Sequence, residues 1–429
     1  MKVAVFHPGT QHSWQTAAAL QDLALLEFYA TSIFYQPDRW PYRVERYLPA
    51  ALRRRAHAEF GRFEHPALDP RRVKTYGLFE WLERLAMRAG LAHAAVRLDR
   101  LGNRRFSRHL EDEVRSARPF ALWGFNSSSL ETFTAGRAAG RYCILDRTIG
   151  DWRYYNAVMR GVFETHAEWF PQGRHTVDDY VIERNDAEYR AADLIVCGSA
   201  FCAETVRAHS PVAGLAAKLR VLPYCFDEAL FANLPPPAPA DPAGPVRFLF
   251  VGQVSPRKGI HHLLEAIAQI PRSEAELTVV GPMGVPREVF ARFEDRVSYL
   301  PSVPRAEIPA IMARHHALVF PSYFEGSSLS LLEGLAAGLA LVHTPQAGNG
   351  ATADSGILLA RPDTELTLAA MRRLIDDRAA LARFRSRARA EAENYSFARY
   401  RMRIAALLAE AGLVDEEGGD SPAARPPAP

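Results

Sequence analysis

Two glutamates eight positions apart, Glu325 and Glu333, stand in the segment Val319-Phe-Pro-Ser-Tyr-Phe-Glu-Gly-Ser-Ser-Leu-Ser-Leu-Leu-Glu333. An apolar run ends in a loop that carries the first carboxylate, and a helix opens before the second. A helix N-terminus offers free N–H groups and about half a positive charge, which suits an anion. Carboxylates accept paired hydrogen bonds from vicinal hydroxyls. A diphosphate flanked by two polyhydroxylated groups, as in a sugar nucleotide, fits such a site. Ser330 and Glu333 also match the S-x-x-E capping box, and Glu325 reads equally as an ordinary loop carboxylate. The segment alone leaves these readings open.

A second group of residues bears on the choice. Of 52 basic residues only four are lysine, namely Lys2, Lys74, Lys218 and Lys258. Lys258 lies in Phe248-Leu-Phe-Val-Gly252-Gln253-Val-Ser-Pro-Arg257-Lys258-Gly259, an apolar strand, a glycine, a short polar loop and a new helix. Lysine is a compact point charge that sits close to one phosphate oxygen, whereas arginine presents a planar fork. A lysine at a strand-to-helix turn of an arginine-dominated chain points to that property.

Together the two segments read G-x-x-x-x-[RK]-K-G and, about 60 residues later, P-S-x-x-E-G-x(6)-E-x-x-A-x-G. This pattern resembles the donor domain of the retaining GT-B glycosyltransferases, and more narrowly glycosyltransferase family 4 (group 1). The intervening Leu277–Gly281, Val297–Leu300, Pro304–His315 and Ala317–Phe320 read as strand, strand, helix and strand. Upstream, Asp193–Phe201 and Val221–Asp227 are similar to further segments of that family. The resemblance covers residues 190–350 well and the first half in outline.

The resemblance implies roles residue by residue. Lys258 and Arg257 would neutralise the donor diphosphate as the leaving group gains charge. Glu333 would accept hydrogen bonds from the ribose hydroxyls, and Glu325 would face the donor sugar. Gly326, Ser327, Ser328 and Leu329 would offer backbone N–H groups to the sugar and phosphates, with Gly259 beside them, and Val303 would lie against the base. Gly9 and Thr10 would approach from the other domain; Gly9 reads equally as a turn glycine. Two departures stand out. Gln253 occupies a position where the family usually has arginine, and no histidine follows Tyr142–Leu145. Asp146 or Asn126 would then supply acceptor-side contacts, although a turn or capping role is open for each. No metal and no cofactor are implied; the donor is a nucleotide-diphosphate sugar.

The elements that must position these residues are those of an α/β protein with GT-B architecture: two Rossmann-like doubly wound parallel-sheet domains facing across a cleft. Short apolar runs alternate with helical stretches, as in Val3–Phe6 followed by Trp14–Leu26, and Val246–Gly252 followed by Ile260–Ile270. Such alternation gives parallel sheets with ligands at the strands' carboxyl ends. The division expected is an acceptor domain at 1–234, a proline-rich linker at 235–245, a donor domain at 246–394, a helix at 395–413 that returns to the first domain, and a disordered tail at 414–429.

Composition agrees. At 429 residues and 48% hydrophobic content the chain can fill two cores, and a net charge of +3 gives no ground for nucleic-acid binding. No apolar run reaches transmembrane length, and Met1–Phe6 reads as a buried strand, not a signal peptide. Cys143, Cys197, Cys202 and Cys225 show no C-x-x-C pairing. A cytoplasmic protein is expected. Arg39-Trp40-Pro-Tyr42-Arg43-Val-Glu-Arg46-Tyr47-Leu48 interleaves aromatics with arginines up to Arg55. Such a segment suits peripheral contact with an anionic inner-membrane surface, and equally a solvated face in an arginine-rich chain. The function expected is retaining, metal-independent transfer of a sugar from a nucleotide-diphosphate sugar to a glycan, lipid-linked or small-molecule acceptor. A nucleotide-sugar epimerase and a non-catalytic homologue acting as a binding partner are the alternatives.

Overall fold

The computed structural model describes residues 1–9, 12–171, 175–235 and 244–414. Thr10, most of the proline-rich linker and the tail from 415 onward lie outside the described residues. The first sheet has seven strands: β1 (Lys2–His7), β2 (Leu26–Thr31), β3 (Val73–Thr75), β4 (Phe120–Phe125), β5 (Cys143–Arg147), β6 (Leu194–Cys197) and β7 (Leu219–Val221). The second has six: β8 (Val246–Val251), β9 (Ala275–Val280), β10 (Val297–Leu300), β11 (Ala317–Phe320), β12 (Ala340–His343) and β13 (Gly356–Leu358). Their orders are β3-β2-β1-β4-β5-β6-β7 and β10-β9-β8-β11-β12-β13, and the paired strands run parallel. β4, β5, β11 and β12 are buried at every residue, as expected of parallel strands covered on both faces.

Each sheet reverses its winding once, between β1 and β4 in the first and between β8 and β11 in the second. Ligands of doubly wound sheets bind at such switch points, outside the strands' carboxyl ends. Gly9 follows β1 and Asn126 follows β4; Gly252 follows β8, and the Glu325 loop follows β11. The candidate residues therefore come from the four strands that flank the two switch points.

The first helix ends earlier than its apolar pattern suggests. It spans Ser13–Asp22, and Leu26 already opens β2. Ala24 takes a left-handed conformation (φ 57°), and the Leu25 N–H returns to the Leu20 carbonyl, which closes the helix. The Pro304–His315 stretch is a 3-10 turn, Arg305–Glu307, followed by a short helix, Ile308–Ala313.

The cores do not divide where the chain order does. Met159, Val162, Trp169 and Phe170, from the helix Trp152–His166 and the turn after it, pack in the second sheet's core. Conversely, Tyr400, Ile404, Leu407 and Leu408 of the helix Phe397–Glu410 pack in the first sheet's core. The Tyr400 hydroxyl pairs with the Thr16 hydroxyl at 2.9 Å, and the Met1 amino group donates to the Leu413 carbonyl. Each half of the chain thus lends an element to the other. Leu408 is fully buried in that core. Leu408→Ala is expected to lower unfolding stability by about 2–5 kcal/mol, with protease cleavage appearing first in residues 1–230. Measured denaturation with cleavage confined to the second sheet would contradict this placement.

Candidate functional site

Three glycines shape the donor-side loops. Gly252 (φ 151°) ends β8 with the Lys258 side chain lying across it; a Cβ there would stand 3.3 Å from Lys258 Cδ. Gly259 (φ 66°) lets the lysine turn meet the loop after β11, since a Cβ would fall 1.9 Å from the Pro321 carbonyl oxygen. Gly281 (φ 141°) is pressed against Gly252 in the same way, at 2.0 Å from its carbonyl oxygen. The two loops are then joined by hydrogen bonds: the Tyr323 N–H and the Ser322 hydroxyl both donate to the Arg257 carbonyl, at 2.9 and 3.2 Å.

Glu325 is the centre of this junction. Its Oε1 lies 2.6 Å from Lys258 Nζ and 2.7 Å from Arg257 Nη1, and it accepts from the Ser322 hydroxyl at 3.2 Å. Burial alone would raise its pKa, but the two cations outweigh burial and hold it down at about 2. Burial in turn presses the Lys258 ammonium downward against the pull of Glu325, and the ammonium sits 4.5 Å over the Phe320 ring. Arg257 also donates to the Phe324 carbonyl at 2.7 Å. Two cations and one carboxylate share a largely buried pocket and leave one net positive charge. Gln253 is exposed at its edge, and Val303 is half-buried after β10.

Glu333 lies on the helix Leu329–Ala336. The capping box does not form: Ser328 is the N-cap, without a side-chain capping bond, and Ser330 lies inside the first turn. Glu333 is buried and accepts from Arg305 Nη2 at 3.2 Å. Burial raises its pKa; Arg305 opposes that and Asp227 adds to it.

The Glu325 loop also forms the seam between the domains. A Cβ on Gly326 would fall 2.0 Å from the Thr148 carbonyl oxygen, and the Ser199 hydroxyl donates to the Gly326 carbonyl. Asn349 Nδ2 donates to the Gly198 carbonyl at 2.6 Å and to the Ser327 hydroxyl at 3.2 Å. The Ser328 N–H is taken by the Ala347 carbonyl, so it is not free for a ligand in this conformation. Leu329 packs against both cores, and Phe324 inserts among Trp152, Tyr154, Tyr155 and Phe201.

In the first domain one expectation is corrected. Asp146 is fully buried beneath the cleft, accepting from the Tyr224 hydroxyl at 2.7 Å and Trp123 Nε1 at 3.4 Å; burial pushes its pKa to about 7. It is a core carboxyl and does not reach an acceptor. Asn126 spends its Oδ1 on the backbone and side chain of Thr148, at 2.9 and 2.8 Å, and so ties the β4 loop to the β5 loop. Gly9 donates its N–H to His7 Nδ1 at 3.0 Å.

Sequence reasoning missed the residues around that turn. His7 and His12 flank it and face the Phe125 ring, and His12 Nε2 is buried without a partner. Their spacing, five positions apart at the end of β1 and in the loop after it, is the signal the sequence offers for them. Trp14 stacks on His65 at 4.7 Å, and Arg305 helps burial hold that imidazole at about 4. Arg305, which pairs with Glu333, is thus also within electrostatic reach of His65 in the first domain.

Behind the loops, His166, His261 and His262 meet with ring centroids 4.1–5.7 Å apart. His262 pairs with the Tyr323 and Thr364 hydroxyls at 2.6 and 2.8 Å, while both nitrogens of buried His261 lack partners. Burial lowers the pKa of His7 and His262 from 6.5 to about 4. These rings are neutral when folded, and the unfolded chain takes up their protons first. Stability is therefore expected to fall as pH drops from about 6.5 to 4, followed below about 4.5 by loss of the Glu325 contribution. Urea midpoints across pH 3–8 check this. His261→Leu should raise stability at pH 7 by about 1 kcal/mol and flatten the upper limb. Glu325→Gln leaves two cations without their counter-charge and should cost about 3 kcal/mol in the same assay; an unchanged midpoint would refute the pairing.

Residues 245–377 match the family model described as Glycosyl transferases group 1. A glycogen synthase of Mycobacterium tuberculosis is 26% identical over 378 residues, covering 84% of this chain and 82% of that protein. The crystal structure of Anabaena HepE in complex with UDP superposes with a TM-score of 0.60 at 15% identity, over 96% of this chain and 100% of the other. A trehalose-6-phosphate synthase, studied for glycosyl transfer with retention, gives a TM-score of 0.59 at 14% identity over 96% and 99% of the two chains. The two doubly wound domains give the chain the GT-B fold of these structures, and its second half, residues 245–377, is that of the group 1 glycosyl transferases.

Proposed function

We propose that this glycosyltransferase moves a sugar from a nucleotide-diphosphate sugar to a hydroxyl of a glycan or lipid-linked acceptor, with retention and without a metal ion. The observation that carries the reading is the pairing of Glu325 with Lys258 and Arg257 at the second sheet's switch point, with Glu333 eight residues on. The structural neighbours with UDP bound and with retaining transfer support the donor class and the stereochemistry.

Lys258 and Arg257 take up the charge that grows on the diphosphate as the glycosidic bond breaks, and the helix opening at Leu329 adds its dipole. Glu333 accepts from the ribose hydroxyls. Glu325 is ionised and held by two cations, which suits it to bind sugar hydroxyls and offset charge at the anomeric carbon; its engagement weakens it as a covalent nucleophile. The acceptor hydroxyl then attacks from the face the diphosphate leaves, and a departing phosphate oxygen takes its proton.

A contact with an anionic membrane completes the proposal. Trp40, Tyr47 and Leu52 are exposed by half or more on the arginine-rich segment. Trp81 packs near Tyr42 and Phe60, which joins that segment to the helix Leu78–Arg88, where Leu85 and Met87 are also exposed.

The test begins with melting temperatures in UDP, GDP and ADP and their sugars, since a ligand of the folded state raises the midpoint. One nucleotide should give a shift that Lys258→Ala and Glu333→Ala abolish. Turnover with that donor should fall roughly a hundredfold or more in Lys258→Ala, persist in chelator, and give a product whose anomeric proton coupling matches the donor's. Isomerised donor without transfer would establish the epimerase reading instead. Co-sedimentation with anionic vesicles should be lost on reversing Arg53, Arg54 and Arg55; equal recovery would remove the membrane contact.

A further inference from the structure

We propose that Arg305 is a positioning residue for nucleotide binding: it keeps the buried Glu333 carboxylate ionised and aimed at the ribose hydroxyl pair. The inference rests on the donor-site reading above. Arg305 sits on the 3-10 turn after β10, and its Nη2 reaches Glu333 Oε1 at 3.2 Å. Among the described residues this is the hydrogen bond its guanidinium makes, so the side chain is placed by Glu333 and not by a wider network. Glu333 is 8% exposed. The charged groups that face it are Arg305 and, from the segment after β7, Asp227, whose carboxylate makes no capping bond to the helix it precedes. A buried acid beside a second acid tends to take up a proton, and a protonated acid has one acceptor oxygen fewer for two hydroxyls. Arg305 is the cation that opposes this. His65, across the cleft, is held neutral by burial and by Arg305 itself, and does not compete for the carboxylate.

The pairing also leaves room for the nucleotide. Arg305 contacts one oxygen, so Oε2 is free for one hydroxyl and the remaining lone pair of Oε1 for the other. Half of the Arg305 side chain is in solvent, which allows its removal without opening the core.

The experiment is calorimetric titration of wild type, Arg305→Met and Arg305→Lys with UDP, ADP and GDP and their 2′-deoxy forms at pH 6 and pH 9. Wild-type affinity for the nucleotide that binds should change by less than about threefold between the two pH values. Arg305→Met should bind about tenfold more weakly at pH 6, recover most of the loss at pH 9 where Glu333 is again ionised, and at pH 6 discriminate less against the 2′-deoxy form. Arg305→Lys should restore the flat profile. An equal loss at both pH values would mean direct contact with the nucleotide or a shape effect, and no loss would mean no role; either overturns the inference while leaving the donor site intact. If wild type binds none of the three nucleotides, the donor-site reading falls and this inference with it.

Discussion

A buried carboxylate held between two cations organises the second domain. An unpaired charge in such a place costs several kcal/mol, so Glu325, Lys258 and Arg257 can occupy it only together. Their meeting requires two loops from non-adjacent stretches of chain to touch along their backbones. Gly259 permits that contact, because a Cβ there would lie 1.9 Å from the Pro321 carbonyl oxygen, and Gly281 lets the loop after β9 close on Gly252 beneath it. The prevalence of arginine elsewhere in the chain makes sense of Lys258 here. Its compact ammonium lies over Phe320 and across Gly252 while reaching one carboxylate oxygen.

The same loop is where the two domains meet. Gly326 abuts the Thr148 backbone, and Phe324 fills an aromatic nest built from the first half of the chain. The charged pocket and the interdomain seam are therefore one structural unit, and movement of one domain against the other is felt at Glu325. The exchanged elements work in the same direction. The helix Trp152–His166 leans on the second core and the helix Phe397–Glu410 on the first, so separation of the domains must strain both crossings.

The parts most legible in the sequence were those governed by local spacing. Continuous apolar runs mark the strands of the second sheet, since a strand buried on both faces has no polar alternation to confuse it. Gly252, Lys258, Glu325 and Glu333 lie in two contiguous motifs, and short loops at strand ends leave few ways to aim their side chains. The less legible parts were those where partners come from far along the chain. Asp146 reads as a strand-end acid with a free oxygen until Tyr224, 78 residues on, occupies it. Asn126 turns its Oδ1 to Thr148, 22 residues on. Arg305 carried no motif at all; its nearness to Glu333 follows from β10 and the helix after β11 converging at one end of a twisted sheet.

Apolar periodicity, glycine placement and charge type act over a few neighbouring positions, and they made the α/β fold class and the two motifs around Lys258 and Glu325 legible in the chain. Tertiary structure alone decided which carboxylates are paired, which are spent in the core and which domain each crossing helix serves. Those outcomes depend on burial and on distances between segments tens to hundreds of residues apart, from Arg305 and Glu333 at 28 positions to Thr16 and Tyr400 at 384, and no local pattern encodes them.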